Sequence, residues 1–352
     1  MARSAIMVGL SLALLEFLND VGASEFLGVQ TITVLIYNTW ISRNNLASAA
    51  QIALITLLIV IFIISLEKYA SRRRRYALNQ NIKPLIPIKL NGKLAWLAIL
   101  YVWLPIIIGF ITPTLHLLVK TIKNFDLQSK LLINLKDKAT NMLFLALSSS
   151  LVSVVCGIIV AWACRQTFLP LQFFHQVILS FARLGYAIPG TVFAIGLLAC
   201  FNLFDNSFTK LGFTSIFIIG TFPALIVAYT IRFLAIATGG IELGLQRIPL
   251  SLEQASRSLG KSAIVTMRQI HLPLLKPAIA ITALLVFVDS VKELSTTLLL
   301  RPINFETLAT WLYGEAARGT YDEGAIAALL IVLISLIPVI ILGRIKNGFI
   351  QQ

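Results

Sequence analysis

The sequence has 352 residues, 58% of them hydrophobic and 12% charged, where a soluble domain carries about a quarter charged residues. That balance excludes an ordinary soluble domain and reads as a polytopic membrane protein. The formal charge of +14 does not indicate nucleic acid, because the basic residues fall mostly in hydrophilic connectors and lack interleaved aromatics.

With about 20 apolar residues per span, the sequence predicts an all-α transmembrane bundle of about eight spans. The first two lie near 4–20 and 47–66, and no small-residue cleavage site closes the first apolar run. A basic connector, 67–93, follows with Arg72 to Arg75, Lys83, Lys89 and Lys93. Six spans come after it, near 94–118, 139–164, 176–201, 214–236, 276–292 and 323–343. Segment 120–138 is basic and amphipathic, with Leu127, Leu131, Leu132 and Leu135, and is expected on the membrane surface. Ser148, Ser149, Ser150 and Gly157 are small enough to let the fourth span pack closely.

The Lys/Arg bias places connector 67–93, loop 237–275, the tail at Arg344–Lys346 and both termini on the cytoplasmic side. The chain also repeats itself: "LLEFLND" at Leu14–Asp20 matches "LLVFVDS" at Leu284–Ser290 in spacing. Residues 1–66 therefore correspond to the end of a unit whose full copy covers 94–352, and repeated membrane units are a transporter feature.

Chemistry-bearing motifs are sparse. Cys156, Cys164 and Cys200 lack metal-ligand or CxxC spacing and read as small hydrophobes. His116, His175 and His271 are isolated and read as structural. No nucleophile–base set or metal cage points to an enzyme, a cofactor or a resident metal.

Loop 237–275 is the exception, being polar, basic and helix-forming between greasy runs. Ser251 with Gln254 forms a capping-box pattern after Pro249, and Gly260 is placed to end that helix. A second short helix, from about Ser262 to Ile270, is expected to stop near Pro273, where the next span begins. Ala255 and Leu259, four apart, share a small apolar face. An ordinary helical connector would show these features singly, not together in fixed register.

The spacing Gln254-Ala255-Ser256-x3-Gly260-x9-Ile270-x-Leu272-Pro273 resembles the EAA loop of ABC-importer permeases, E-A-A-x3-G-x9-I-x-L-P. Gln254 and Ser256 replace the family's Glu and second Ala, and Glu253 stands one residue upstream as an alternative acidic contact. The resemblance implies a permease fold of the type I importer kind and a coupling helix seated on a cytoplasmic ATPase dimer. It further implies an extracytoplasmic substrate-binding protein, and a bacterial inner-membrane location. "LGYAIPGTVFAIGLL" (Leu184–Leu198) is similar to the third span of this permease module. "VKELSTTLLLRPINFETLATWLY" (Val291–Tyr313) and "LEFLNDVGASEFLGVQTITVLIYNTW" (Leu15–Trp40) resemble the iron(III) branch, whose permeases fuse two modules. On that resemblance 1–66 is the C-terminal remnant of a first module, 67–93 a linker, and 94–352 a complete module. A second permease module or copy would then supply the other coupling loop. The open alternatives are a permease for thiamine, sulfate or polyamine, and a truncated, non-transporting remnant.

Four further residues are pathway candidates. Pro189 and Gly190 interrupt a span, as a pathway kink or a packing kink. Asp289 and Glu293, with Lys292, cluster at the outer end of a span, either meeting substrate or forming a solvated, internally paired helix end. Arg183 and Arg232 are expected to snorkel from helix ends.

Overall fold

The computed structural model describes residues 2–72, 91–123, 125–165, 177–179, 182, 185–210 and 218–350. Among them the chain is helical, without strands. The N-terminal part is α1 (Ala2–Asn19), α2 (Gly22–Phe26), α3 (Ile32–Ile41) and α4 (Leu46–Arg72). Then come α5 (Lys93–Ile106), a π-helical turn at Ile107–Ile111, α6 (Thr112–Lys123), α7 (Phe125–Arg165), α8 (Gly190–Lys210) and α9 (Phe222–Gln246). The final stretch holds α10 (Leu250–Ser258), α11 (Ala263–Thr266), a second π-turn at Met267–His271 and α12 (Leu272–Val291). It closes with α13 (Ser295–Leu300), α14 (Leu308–Arg318) and α15 (Tyr321–Ile350).

Seven helical stretches among the described residues are long and apolar enough to cross a membrane: 46–66, 93–123, 134–165, 190–210, 222–246, 263–291 and 321–343. They match the second to eighth predicted spans. The predicted first span is helical as α1 but is not one of the seven.

Several boundaries move for local reasons. Pro189, which has no N–H to donate, stands just outside α8, and its carbonyl accepts the first bond from Phe193 N at 2.9 Å. Residues 177–179, 182 and 185–187 are helical as well, so the proline separates them from α8; 176, 180, 181, 183 and 184 of the predicted span lie outside the described residues. The span expected over 276–292 begins at Ala263, because the π-turn widens the helix ahead of Pro273 and the chain continues through the proline. Segment 120–138 is not a separate surface helix: from Phe125 onward it is the first part of α7. The lysines at its ends pair with neighbouring elements, Lys120 with Asp322 at 2.8 Å and Lys138 with Glu306 at 3.6 Å. Helix α4 runs into the expected linker as far as Arg72, and 73–90 lies outside the described residues.

The centre of the bundle is α7, α9 and α12. Their approach depends on small residues. A β-carbon on Gly157 would lie 2.8 Å from the Ala237 carbonyl carbon, and one on Gly240 would lie 2.2 Å from Thr282 Oγ1. Ser150 donates to the Ala283 carbonyl at 2.9 Å, tying α7 to α12. The N-terminal helices share this core: Ile36, Ala49 and Ala53 pack with Ile195, Leu225 and Phe233.

Candidate functional site

Two polar clusters stand out in this apolar scaffold, one where helices end around α10 and one deep between α8, α9 and α13.

Helix α9 continues to Gln246, so the loop is shorter than expected and begins at Arg247. Helix α10 starts at Leu250 with Pro249 as its N-cap, and no side chain caps it. Ser251 is thus inside the helix, and the expected capping box with Gln254 is not formed. Proline's fixed φ, here −60°, sets the start instead. The far end is as expected. Gly260 is left-handed at φ +72°, Gly260 N donates to the Arg257 carbonyl at 2.9 Å, and Lys261 N to the Ser256 carbonyl at 3.1 Å. That pair of bonds is a Schellman stop.

Glu253, in the first turn of α10, points inward and is nearly buried, with its side chain 8% exposed. Arg165, the last residue of α7, donates from Nε to Glu253 Oε1 at 2.5 Å. The same guanidinium donates from Nη2 to the Ile248 carbonyl at 2.7 Å and from Nη1 to the Leu245 carbonyl. Leu245 lies in the last turn of α9, where its carbonyl also accepts from Ile248 N at 3.0 Å, and Ile248 lies just beyond the helix; a cation suits that end of a helix. His271 Nε2, fully buried, lies 3.0 Å from Glu253 Oε1 but off hydrogen-bonding geometry. His271 is therefore part of a cluster, not isolated. Arg165 was not singled out from sequence; a lone arginine closing the apolar run "GIIVAWACR" was the available signal.

Ser256 is also buried and shares a hydrogen bond with Thr266 Oγ1 at 2.7 Å, pinning α10 to α11. Gln254, Ala255 and Gly260 are exposed, Ile270 and Leu272 half-buried, and Pro273 exposed. Leu259 and Ile264 stand out to solvent, 78% and 71% exposed, flanking the Gly260 turn. The loop is thus fastened on one side, and on the other it exposes Leu259 and Ile264 among polar residues such as Gln254, Arg257 and Lys261.

The second cluster corrects the expected snorkelling of Arg232. This side chain is 2% exposed and pairs through Nε with Glu293 Oε2 at 3.0 Å. It also donates from Nη2 to Asn19 Oδ1 at 3.1 Å and from Nη1 to the Ile188 carbonyl at 3.4 Å. Asn19 Oδ1 accepts a second bond from Gly190 N at 2.7 Å, satisfying the start of α8. Pro189 and Gly190 therefore stand at a break in helical structure, between helical residues 185–187 and the start of α8. A β-carbon on Gly190 would lie 2.9 Å from the Arg232 guanidinium, so only glycine fits there. The other oxygen of Glu293 accepts from Thr296 N at 2.9 Å, at the start of α13. Tyr229 OH completes the cluster, 2.5 Å from Thr297 Oγ1 and donating to the Glu293 carbonyl at 3.3 Å. Arg183 lies outside the described residues.

Glu293 is consequently buried, not part of a solvated helix end. Asp289 is separate: it pairs with Lys292 at 3.0 Å, and Lys292 lies 4.0 Å from Glu16. A cavity of about 520 Å³ opens beside them, lined in part by Glu16, Asn19, Tyr186 and Pro189. Burial raises the Tyr186 phenol above its ordinary pKa, and Asp289 adds to the effect, so it remains a neutral donor. Among the described residues no three His, Cys, Asp or Glu side chains are grouped to hold a metal.

Comparison with known proteins fits this architecture. The chain is 24% identical over 348 residues to the Fe(3+)-transport system permease protein FbpB 2 of Haemophilus influenzae, covering 97% of this chain and 66% of that protein. It thus spans about two thirds of that relative's length. A putative 2-aminoethylphosphonate transport system permease, PhnV of Salmonella typhimurium, is 27% identical over 61% of this chain and 77% of its own. In fold the chain is similar to a component of a bacterial alginate ABC transporter solved with its alginate-bound periplasmic protein. The TM-score is 0.60 at 16% identity, covering 73% of this chain and 94% of the other. Residues 153–350, more than half of the chain, match the model of the binding-protein-dependent transport system inner membrane component, and the chain belongs to that family.

Proposed function

We propose that this chain is the membrane-spanning permease subunit of an ATP-driven importer that takes up ferric iron from an extracytoplasmic binding protein. ATP is hydrolysed on a separate cytoplasmic ATPase dimer, and the loop around α10 couples that cycle to the membrane. The observation that most supports this is the two-sided loop: Glu253 and Ser256 fasten it inward, while Leu259 and Ile264 flank the Gly260 turn on the exposed side. On this reading Gln254, Ala255 and Gly260 belong to the docking face, and Ile270, Leu272 and Pro273 shape its return to α12. Both termini face the cytoplasm.

Alternating access follows from the same parts. The ATPase dimer closes, α10 moves with it, and the bundle rocks so that a mid-membrane path opens outward and then inward. The cavity lined in part by Glu16, Asn19, Tyr186 and Pro189 lies on that path, and Gly190, Asp289 and Glu293 are read as pathway residues with it. Residues 1–66 act as part of a first permease module and 94–352 as a full one, with a second module or copy providing the other coupling loop.

The test is co-purification from native membrane of wild type and Gly260→Pro. Proline cannot adopt φ +72°, so the variant breaks the turn and leaves the spans intact. An ATPase accompanies wild type and is lost from the variant; absence of any ATPase with wild type overturns the reading. Uptake of labelled ferric iron, challenged with thiamine, sulfate and polyamines, tests the substrate. The phosphonate-permease relatives support a second reading, another small solute, and excess 2-aminoethylphosphonate in the same assay separates the two.

A further inference from the structure

We propose that Arg165 is a positioning residue that locks α10 to the ends of α7 and α9, so that movement of the loop is passed directly into the bundle. The inference rests on the coupling reading above and names the device that transmits it.

Four chain segments meet around the Arg165–Glu253 pair. Arg165 ends α7, its guanidinium holds the Leu245 and Ile248 carbonyls at and just beyond the end of α9, and it grips Glu253 in α10. Glu253 in turn lies against His271, one residue before α12. The guanidinium is planar and forked, so its donors fix three directions at once. A loop held only by its two chain ends could swing without moving the spans. This one cannot move without either carrying α7 and α9 along or breaking a nearly buried ion pair. Removing one partner of such a pair strands the other charge, which makes the connection stiff. Arg165 and Glu253 are nearly buried while Leu259 and Ile264 are exposed, so the lock and the docking face are separable.

Cys164, half-buried and adjacent to Arg165, serves as the reporter. The full chain is purified with its ATPase in a Cys156→Ser/Cys200→Ser background and placed in nanodiscs. Maleimide labelling of Cys164 is timed without nucleotide and after trapping with ATP and vanadate. In the background protein the rate changes about fivefold on trapping, within the range of ordinary allosteric coupling. Glu253→Gln and Arg165→Lys keep the ATPase bound but reduce the change to less than about twofold. A wild-type nucleotide response in both variants overturns the proposal. So does loss of the ATPase from both, which reduces the cluster to a fold support for the loop. If the background protein itself retains no ATPase, the coupling reading fails and the lock with it.

Discussion

Two arginine–glutamate pairs are buried among the described residues, and they are buried to different depths by the same device. Arg165–Glu253 sits at the ends of α7, α9 and α10, with side chains 12% and 8% exposed. Arg232–Glu293 sits within the span of α9, at 2% and 8%. In each, the guanidinium donors that the carboxylate leaves over go to acceptors at or near chain breaks: Leu245 and Ile248 carbonyls for Arg165, the Ile188 carbonyl and Asn19 for Arg232. A helix end in an apolar setting carries unpaired polar groups, and a buried arginine carries more donors than one carboxylate can use. Each relieves the other. A charge is tolerated inside this bundle where the main chain is interrupted.

The depth difference sets the size of the response to mutation. Glu293→Ala leaves Arg232 charged and dry and is expected to lower stability by about 3–5 kcal/mol. Thermal unfolding of the detergent-solubilised protein reads this as a large fall in midpoint. The double variant Arg232→Met/Glu293→Met recovers most of the loss, because no charge is stranded. If Glu293→Ala unfolds like wild type, Arg232 reaches water and the two pairs are not distinct in depth.

Glu253→Gln provides the shallower counterpart. The amide keeps an oxygen acceptor, and Arg165 keeps both carbonyls, so about 1.5–3 kcal/mol is expected, the range for a hydrogen bond to a charged group. The same unfolding assay ranks it below Glu293→Ala. A loss equal to that of Glu293→Ala, despite the retained acceptor, would mean that the hub is as inaccessible to water as the inner pair.

How much of this could be read from the sequence differs between the two clusters. The helical class, the second to eighth spans and the short helix of the loop were legible because long apolar runs and fixed spacing are local signals. Gly260 was legible for the same reason, since a Schellman stop is decided within six residues. Arg232 was misread: an arginine in an apolar run looks like a snorkelling residue unless its partner is known, and Glu293 is 61 positions away. Arg165 was passed over because its bonds to main-chain carbonyls leave no side-chain pattern. The capping box failed through a competing local rule, as Pro249 started the helix first and carried Ser251 inside it. The N-terminal segment shows the limit most plainly, because the repeat pattern carried nothing to show that Asn19 would serve both Gly190 and Arg232.

The smallest expected effects discriminate best, since they leave both ion pairs in place. Tyr229→Phe removes one hydroxyl from the inner cluster, and Ser256→Ala removes one from the loop hub. The partner left behind is satisfied in both cases: Thr297 still donates to the Glu293 carbonyl at 3.0 Å, and Thr266 to the Ser262 carbonyl at 3.1 Å. Each substitution is therefore expected to cost about 0.5–1.5 kcal/mol, the net value of a hydrogen bond with no orphaned partner. Matched losses would show that the two regions differ in how they hold charge, not in packing quality. A Tyr229→Phe loss well above that range would mean that the hydroxyl also orients Glu293 toward Arg232. The inner cluster would then be a single cooperative unit, in which the ion pair depends on the tyrosine and cannot be separated from it pair by pair.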